Sequence, residues 1–158
     1  MQVFIANIDS ISKNPDIYSA LLSPKCQTRL SEFQNQTRKL QFILGHLMAD
    51  KCGKKYTSIA HKDKWVVVVE SDIPVGIDIE NTTIKRDFNA AAELMHFARP
   101  ASLDDFYKSF TESEAVYKMS TESKCTRFIE FGDYLICITS TQDFPTPNLQ
   151  EYDVASIL

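Results

Sequence analysis

The sequence predicts an α+β protein made of two similar halves. Short segments alternate apolar and polar residues, as strands do, and longer segments repeat apolar residues at helical spacing. The order strand, helices, two strands occurs twice along the chain, and no linker rich in Gly, Pro or Ser separates the halves. We therefore expect one compact domain, residues 1–158, of two half-domains, about 1–74 and 75–158, that share a core and are related by a pseudo-two-fold axis.

The first half is predicted to begin with a strand over residues 3–7, followed by helical material from about residue 16 to residue 52. In its clearest helix, QTRKLQFILGHLMAD, the expected core-facing stripe is Leu40, Ile43, Leu44, Leu47 and Met48. The residues expected off this stripe are Arg38, Gln41 and Gly45. A short strand near residues 57–60 and the strand KWVVVVES complete the half.

The second half is predicted to begin with the strand VGIDIE, residues 75–80, after a turn at residues 71–74. Helical segments follow around residues 87–98 and 103–120. The strands TRFIEF and YLICITS, joined near Gly132, end the half.

Composition and charge exclude several classes of protein. With 44% hydrophobic and 24% charged residues, the chain is ordinary for a globular protein. Its longest aliphatic run, residues 66–69, is too short to span a membrane, and MQVFIANI reads as a strand with no signal sequence. We expect a soluble, cytoplasmic protein with no membrane partner. The four cysteines form no CxxC pair and are expected to be reduced thiols.

The net charge of −4 argues against a nucleic-acid partner, but the basic residues are unevenly placed. Five of the seventeen Lys and Arg residues fall within residues 51–64. This segment is either a solvated loop or a cradle for a polyanionic small molecule, with Arg38 on the preceding helix as a possible neighbour. His61, at the end of a predicted strand, could reach a phosphate, although a single histidine is more often structural.

The strand VGIDIE has one apolar and one acidic face. Successive side chains of a strand point to opposite faces, so Gly76, Asp78 and Glu80 share a face. The two carboxylates, about 7 Å apart at the backbone, can converge on one cation. Oxygen ligands without histidine or cysteine favour Mg²⁺, and the glycine permits close approach of another group. The alternative is a strand whose outer face is simply solvated.

A second candidate lies in FYKSFTESEAVYK, residues 106–118. As a helix, this segment is expected to carry an apolar stripe through Leu103, Phe106, Phe110 and Tyr117. Glu114 falls on that stripe, and Lys118 follows it by four residues, so both side chains point the same way. Two ordinary alternatives exist: a surface Glu–Lys pair, or a capping box with Thr111 as the N-cap.

Taken together, these segments resemble the 4'-phosphopantetheinyl transferases, and most closely the monomeric Sfp-type subfamily. The family strand G-[IV]-D-[IV]-E is matched by residues 76–80, and the helix motif W-[ST]-x-K-E-[AS]-x-x-K by residues 110–118. The family segment S-x-S-H is matched by residues 58–61. The resemblance runs in order from about residue 36 to 118. The departures are Phe110 for the tryptophan, Ser113 for the first lysine and Ala60 for a serine.

The resemblance implies that the enzyme transfers the phosphopantetheine arm of coenzyme A to a serine of an apo acyl or peptidyl carrier protein, releasing adenosine 3',5'-bisphosphate. It assigns Mg²⁺ to Asp78, Glu80 and Glu114, and coenzyme A phosphates to Lys118. The nucleotide end would be held by Arg38, Lys54 and His61. The general base would be Glu114 or a metal-bound water. The fold implied is that of the transferase family, and one setting for such an enzyme is fatty acid biosynthesis.

Two other functions are compatible with the same residues. The chain could be a degenerate, non-catalytic module that binds coenzyme A or a carrier protein, or a different Mg²⁺-dependent phosphoryl-transfer or hydrolytic enzyme. For the carrier, a basic and apolar docking surface is expected over residues 85–99, which include Met95, Phe97 and Ala98.

Overall fold

A computed structural model describes residues 1–85, 87, 90, 92–93 and 100–157. It is a mixed α+β fold with two sheets, which confirms the predicted class. The α-helices with described bounds are α1 (Asp16–Ser19), α2 (Pro24–Ser31), α3 (Gln36–Asp50) and α4 (Leu103–Met119). The strands are β1 (Gln2–Asn7), β2 (Tyr56–Lys62), β3 (Trp65–Ser71), β4 (Val75–Asn81), β5 (Cys125–Phe131), β6 (Tyr134–Ser140) and β7 (Leu149–Glu151).

The chain divides into two compact units. Unit 1 contains Met1–Asp72 and Pro147–Leu158, and unit 2 contains Ile73–Thr146. None of the helices in the described part of the chain has both the length and the apolarity that crossing a bilayer requires. The four cysteines are free thiols.

Unit 1 has a four-stranded sheet in the order β2-β3-β1-β7. The central strand β3 pairs antiparallel with β1 and β2, and its valines 66–69 are fully buried. The strand β7 pairs in parallel with β1, from Val3 opposite Leu149 to Ile5 opposite Glu151. The sequence did not predict β7, because three residues are too few for a recognisable alternation.

Helix α3 packs its predicted stripe into the core of unit 1, as expected. Gln41 and Gly45, which were expected off the stripe, are buried as well, and this expectation was wrong. Gly45 lies against β2, where an added Cβ would come within 2.7 Å of Ile59 Cγ2. Gln41 Nε2 donates a hydrogen bond to the carbonyl oxygen of Asp63 at 2.7 Å. A polar residue is buried here because a backbone acceptor is available to it.

Unit 2 has an antiparallel sheet in the order β4-β6-β5, against which α4 packs. This order matches β1-β3-β2 of unit 1. In each unit, the second strand of the hairpin pairs with the strand that comes first in the unit. Gly132 has φ +55° in the turn between β5 and β6, a conformation that glycine adopts readily. Of the helix expected over residues 87–98, only residues 87, 90, 92 and 93 are described.

Helix α4 begins after Ser102, whose hydroxyl accepts a hydrogen bond from the amide of Asp105. Thr111 is therefore an interior residue of the helix, and its hydroxyl donates to the carbonyl oxygen of Tyr107. The alternative of a capping box with Thr111 as the N-cap is therefore wrong. The buried residues of α4 are Phe106, Tyr107, Thr111, Ala115 and Met119. Tyr117, expected on the apolar stripe, is instead 80% exposed.

Candidate functional site

The acidic face of β4 is not solvated. Asp78 is 7% exposed and Glu80 is 8% exposed, and every residue from Val75 to Glu80 is buried. The alternative of a solvated outer face is therefore wrong. Burial removes water from both carboxylates, which is costly in free energy. Neighbouring charges or hydrogen bonds must therefore offset the lost hydration.

Gly76 explains how α4 comes so close to this face. A Cβ added at Gly76 would lie 2.0 Å from the carbonyl oxygen of Ala115 and 2.9 Å from its carbonyl carbon. The close approach that the glycine permits is thus made by the helix backbone. This contact determines the distance between α4 and β4.

Lys118 extends from α4 to the acidic residue at the centre of β4. Its Nζ donates a hydrogen bond to Asp78 Oδ1 at 2.6 Å and to the carbonyl oxygen of Ile77 at 3.2 Å. The side chain of Asp78 is 11% exposed and that of Lys118 is 28% exposed. The surface pair that helical spacing predicts between Lys118 and Glu114 is replaced by this ion pair between helix and strand.

The pKa of Asp78 is raised, chiefly because burial disfavours the charged carboxylate. Lys118 opposes this shift, while the negative charges of Glu80 and Glu114 add to it. The three carboxylates therefore share one electrostatic environment in unit 2. Oδ2 of Asp78 is buried and accepts no hydrogen bond from any residue in the described part of the chain.

The neighbouring glutamate, Glu112, has a different role. Its Oε1 accepts a hydrogen bond from the Thr126 hydroxyl at 2.6 Å, which ties α4 to β5. Glu114 makes no ion pair with any described residue, although it is near enough to Asp78 to raise its pKa. Of the two acids on this stretch of α4, Glu114 is the one with carboxylate oxygens available for chemistry.

The acidic residues of unit 2 can be compared with the ligands that Mg²⁺ requires. Within residues 1–85, 87, 90, 92–93 and 100–157, no three His, Cys, Asp or Glu side chains are gathered closely enough, as placed, to hold a metal ion. Two observations nevertheless fit the ion: all the candidate ligands are carboxylate oxygens, and a buried oxygen of Asp78 has no hydrogen-bond donor among the described residues. Asp78, Glu80 and Glu114 are the residues that could hold it.

A second polar site lies within unit 1. Arg38 Nη1 lies 3.0 Å from His61 Nδ1. Because arginine can only donate, the Nδ1 of His61 accepts this hydrogen bond. The two side chains line a cavity of about 200 Å³ together with Arg29, Phe33 and His46. The cavity therefore places two guanidinium groups and two imidazoles around one small volume.

The charges in this cavity are held against an aromatic surface. Both guanidinium groups lie over the Phe33 ring, Arg38 at 5.3 Å and Arg29 at 5.9 Å from its centroid. The pKa of Arg38 is lowered, first by burial and then by the like charge of Arg29. Burial also lowers the pKa of His46, although the negative charge of Asp50 acts to raise it. Two like charges near one ring would both be stabilised by an anion bound beside them.

Arg29 and His46 were not among the residues predicted from the sequence for this cavity. His46 could have been found, because it follows Arg38 by eight residues and Phe42 by four, which places all three on one face of α3. Arg29 lies on a separate helix, and no local pattern connects it to the others. The Ala60 departure leaves this cavity unchanged, because Ala60 and His61 point to opposite faces of β2.

Lys54 is not brought to this cavity. It lies before the first residue of β2, whereas His61 lies near the last, and seven residues separate them. Its Nζ pairs with Asp72 Oδ2 at 2.8 Å, and its amide donates to Glu70 Oε2 at 3.3 Å. The structure thus gives Lys54 a role in holding the loop after α3. The docking surface expected over residues 85–99 falls mostly outside the described residues.

Comparison with models of known protein families found no match to this chain, and neither did comparison with characterised proteins.

Proposed function

We propose that the chain is a Mg²⁺-dependent 4'-phosphopantetheinyl transferase that modifies a serine of an apo acyl or peptidyl carrier protein. The observation that carries the proposal is the buried cluster in unit 2. There Asp78 accepts a hydrogen bond from Lys118, and the negative charges of Glu80 and Glu114 act on it electrostatically. Both ordinary explanations for Glu114 are excluded, because the helix begins after Ser102 and Lys118 pairs with Asp78.

The fold supports the proposal in a second way. Each unit contains a strand, helical material and a hairpin, with the same order of strands in its sheet. This is the internal repetition expected for the Sfp-type subfamily. The pseudo-two-fold relation between the units remains part of the proposal.

Within this proposal, the reaction has a defined balance of bonds. The serine oxygen of the carrier attacks the phosphorus that bears the pantetheine arm, and the bond from that phosphorus to adenosine 3',5'-bisphosphate breaks. Mg²⁺ bound to Asp78, Glu80 and Glu114 would supply charge neutralisation at the phosphate oxygens. Lys118 contributes a second positive charge to the same oxygens.

The proton of the attacking serine needs an acceptor. Glu114 is suited to this role because it is half-buried and makes no ion pair with a described residue. A carboxylate so placed can take the serine proton as the new bond to phosphorus forms. Asp78 is less suited, because Lys118 already occupies one of its oxygens.

In unit 1, the cavity lined by Arg38 and His61 is the proposed contact for phosphate at the nucleotide end of coenzyme A. Two guanidinium groups on an aromatic surface suit a phosphate beside an adenine ring. Arg29 is added to the residues that the resemblance assigns. Lys54 remains assigned to coenzyme A by the resemblance alone, because its ammonium is paired with Asp72.

The test is loading of an apo carrier protein, followed by intact-mass spectrometry. With coenzyme A and Mg²⁺, we expect the carrier to gain the mass of phosphopantetheine, and we expect a metal chelator to prevent the gain. Asp78→Asn and Glu114→Gln should abolish loading. Asp104→Asn, on the same helix but exposed and paired with Lys108, is the matched control and should load normally. Failure to load any of the host's carrier proteins would refute the enzymatic proposal.

A non-catalytic coenzyme A or carrier-binding module is the second candidate. It is favoured by Ser113, which replaces a lysine of the family motif, and by the engagement of Asp78 with Lys118. Calorimetry separates the two functions. An enzyme should bind coenzyme A more tightly when Mg²⁺ is present, whereas a module without a metal site should bind it equally with and without the ion.

A further inference from the structure

Lys118 stands where a cation bound to Asp78 would be expected. Its ammonium donates hydrogen bonds to Asp78 Oδ1 at 2.6 Å and to the Ile77 carbonyl oxygen at 3.2 Å. Among the described residues it makes no ion pair with Glu114, which lies one turn away on the same helix. A lysine that reaches to the strand in preference to its helical neighbour does so because Asp78 is more deeply buried. A desolvated carboxylate gains more from a positive charge than an exposed one does.

The other oxygen of Asp78 remains in need of a partner. Oδ2 is buried and has no hydrogen-bond donor among the described residues, while Glu80 and Glu114 add negative charge around it. The Lys118 ammonium contacts Asp78, while two further negative charges act on the same carboxyl group. The cluster keeps an attraction for a further cation, and any such cation would lie close to the positive charge of Lys118.

We propose that Lys118 is an internal counter-cation that competes with a divalent ion for Asp78, and that phosphate of the bound substrate relieves this competition by drawing Lys118 away. The inference rests on the proposed function and concerns the order of events at the site. The ion binds weakly to the free protein, and it binds tightly once a phosphate is present to accept the Lys118 ammonium.

Linkage makes the competition reciprocal. If phosphate binding raises the affinity for the ion by some factor, ion binding raises the affinity for phosphate by the same factor. Lys118 is then a positioning residue that couples the two ligands, in addition to its contact with phosphate. The 28% exposure of its side chain leaves room for the ammonium to move without unfolding α4.

The experiment is a titration of the full chain with Mn²⁺ alone, followed by electron paramagnetic resonance of the free ion. We expect Lys118→Met to bind Mn²⁺ about tenfold more tightly than the unmodified protein, since a unit charge at contact distance in a partly exposed site contributes on that order. Lys118→Arg keeps the charge and should bind like the unmodified protein. Lys108→Met, which removes an exposed lysine paired with Asp104 on the same helix, is the control and should change nothing.

Thermal unfolding gives a second readout that does not depend on the spectroscopic signal. Without an ion, Lys118→Met should melt at a lower temperature, because the buried carboxylate of Asp78 loses its ammonium partner. Added Mn²⁺ should then raise its melting temperature by more than it raises that of the unmodified protein.

The outcomes separate this inference from the proposed function. If both proteins bind Mn²⁺ with equal affinity, or Lys118→Met binds it more weakly, the competition is refuted while the metal site stands. If neither protein binds Mn²⁺, and Asp78→Asn makes no difference to either, both the competition and the metal site are refuted.

Discussion

Replacement of Gly76 by alanine is the sharpest test of how α4 and β4 fit together. The new Cβ would lie 2.0 Å from the Ala115 carbonyl oxygen and 3.1 Å from Met119 Cβ. Real Cβ atoms essentially never approach within 3.0 Å of another atom, so the helix must retreat by about 1 Å. The obstacle is backbone, which cannot rotate aside as a side chain can.

The cost follows from this geometry. Overpacking a tight core costs about 1–3 kcal/mol, and a clash with backbone belongs at the upper end of that range. Because domains are stable by only about 5–15 kcal/mol, we expect Gly76→Ala to lose about 3 kcal/mol, a large share of the total. The same retreat would lengthen the 2.6 Å contact between Lys118 and Asp78.

The assay is urea unfolding of three glycine variants under identical conditions. Gly53→Ala is the matched control, because an added Cβ there meets nothing within 4 Å, and its stability should change by less than about 0.5 kcal/mol. Gly45→Ala should fall between the two, because its clash at 2.7 Å is with the movable Ile59 side chain. If Gly76→Ala is as stable as Gly53→Ala, the packing described for α4 is wrong.

Three further predictions concern individual residues. The pKa of Asp78 is raised on folding, so the folded state holds this proton more tightly than the unfolded chain, and ionisation of Asp78 costs stability as pH rises above 3.8. In the presence of a chelator, Asp78→Asn should therefore be more stable than the unmodified protein at neutral pH, with the difference in unfolding free energy vanishing below pH 3.8; lower stability of the variant at neutral pH would contradict this. His61→Ala should raise the coenzyme A concentration needed for half-maximal loading more than it lowers the maximal rate, as measured by carrier loading, and an effect on rate alone would remove His61 from the nucleotide contact. Burial and the charge of Glu70 raise the pKa of Cys52 from 9.0 to about 11, so alkylation of Cys52 should stay slow at pH 9 in the folded protein and become faster in Glu70→Gln, whereas equal rates would remove Glu70 as a cause.

The sequence was sufficient to predict the positions of two strands. The strand VGIDIE and the valine strand were placed within a residue of their ends, because alternation in the first and a short run of β-branched residues in the second are both typical of strands. What the alternation of VGIDIE could not reveal is burial of its polar face. That burial depends on α4, which is distant in sequence and comes close only because residue 76 has no side chain.

The orientation of α4 was harder to predict. Its contact face includes Thr111 and Ala115, which are small and not strongly apolar, whereas the exposed Tyr117 looks apolar in a hydropathy pattern. The face of α4 that contacts the sheet carries small residues because the helix lies close to β4. A hydropathy pattern contains no information about the distance between a helix and a sheet. The pairing of Lys118 with Asp78 was missed for the same reason, since helical spacing pointed to Glu114.

In unit 1, the site was predicted in part. Arg38 and His61 were named as neighbours, and the structure places them 3.0 Å apart. Lys54 was grouped with them by the basic segment and by the resemblance, but the seven residue steps from Lys54 to His61, most of them in β2, carry the chain about 23 Å.

The parallel pairing of β7 with β1 bears on how the protein forms during translation. The partner of β1 follows residue 146, so the ribosome must finish all of unit 2 before the sheet of unit 1 can be completed. Until then, Val3 to Ile5 present an open backbone edge, the kind of edge to which other extended chains attach. A nascent chain of this protein is therefore expected to need protection at its first strand until unit 2 and the segment after it have been synthesised.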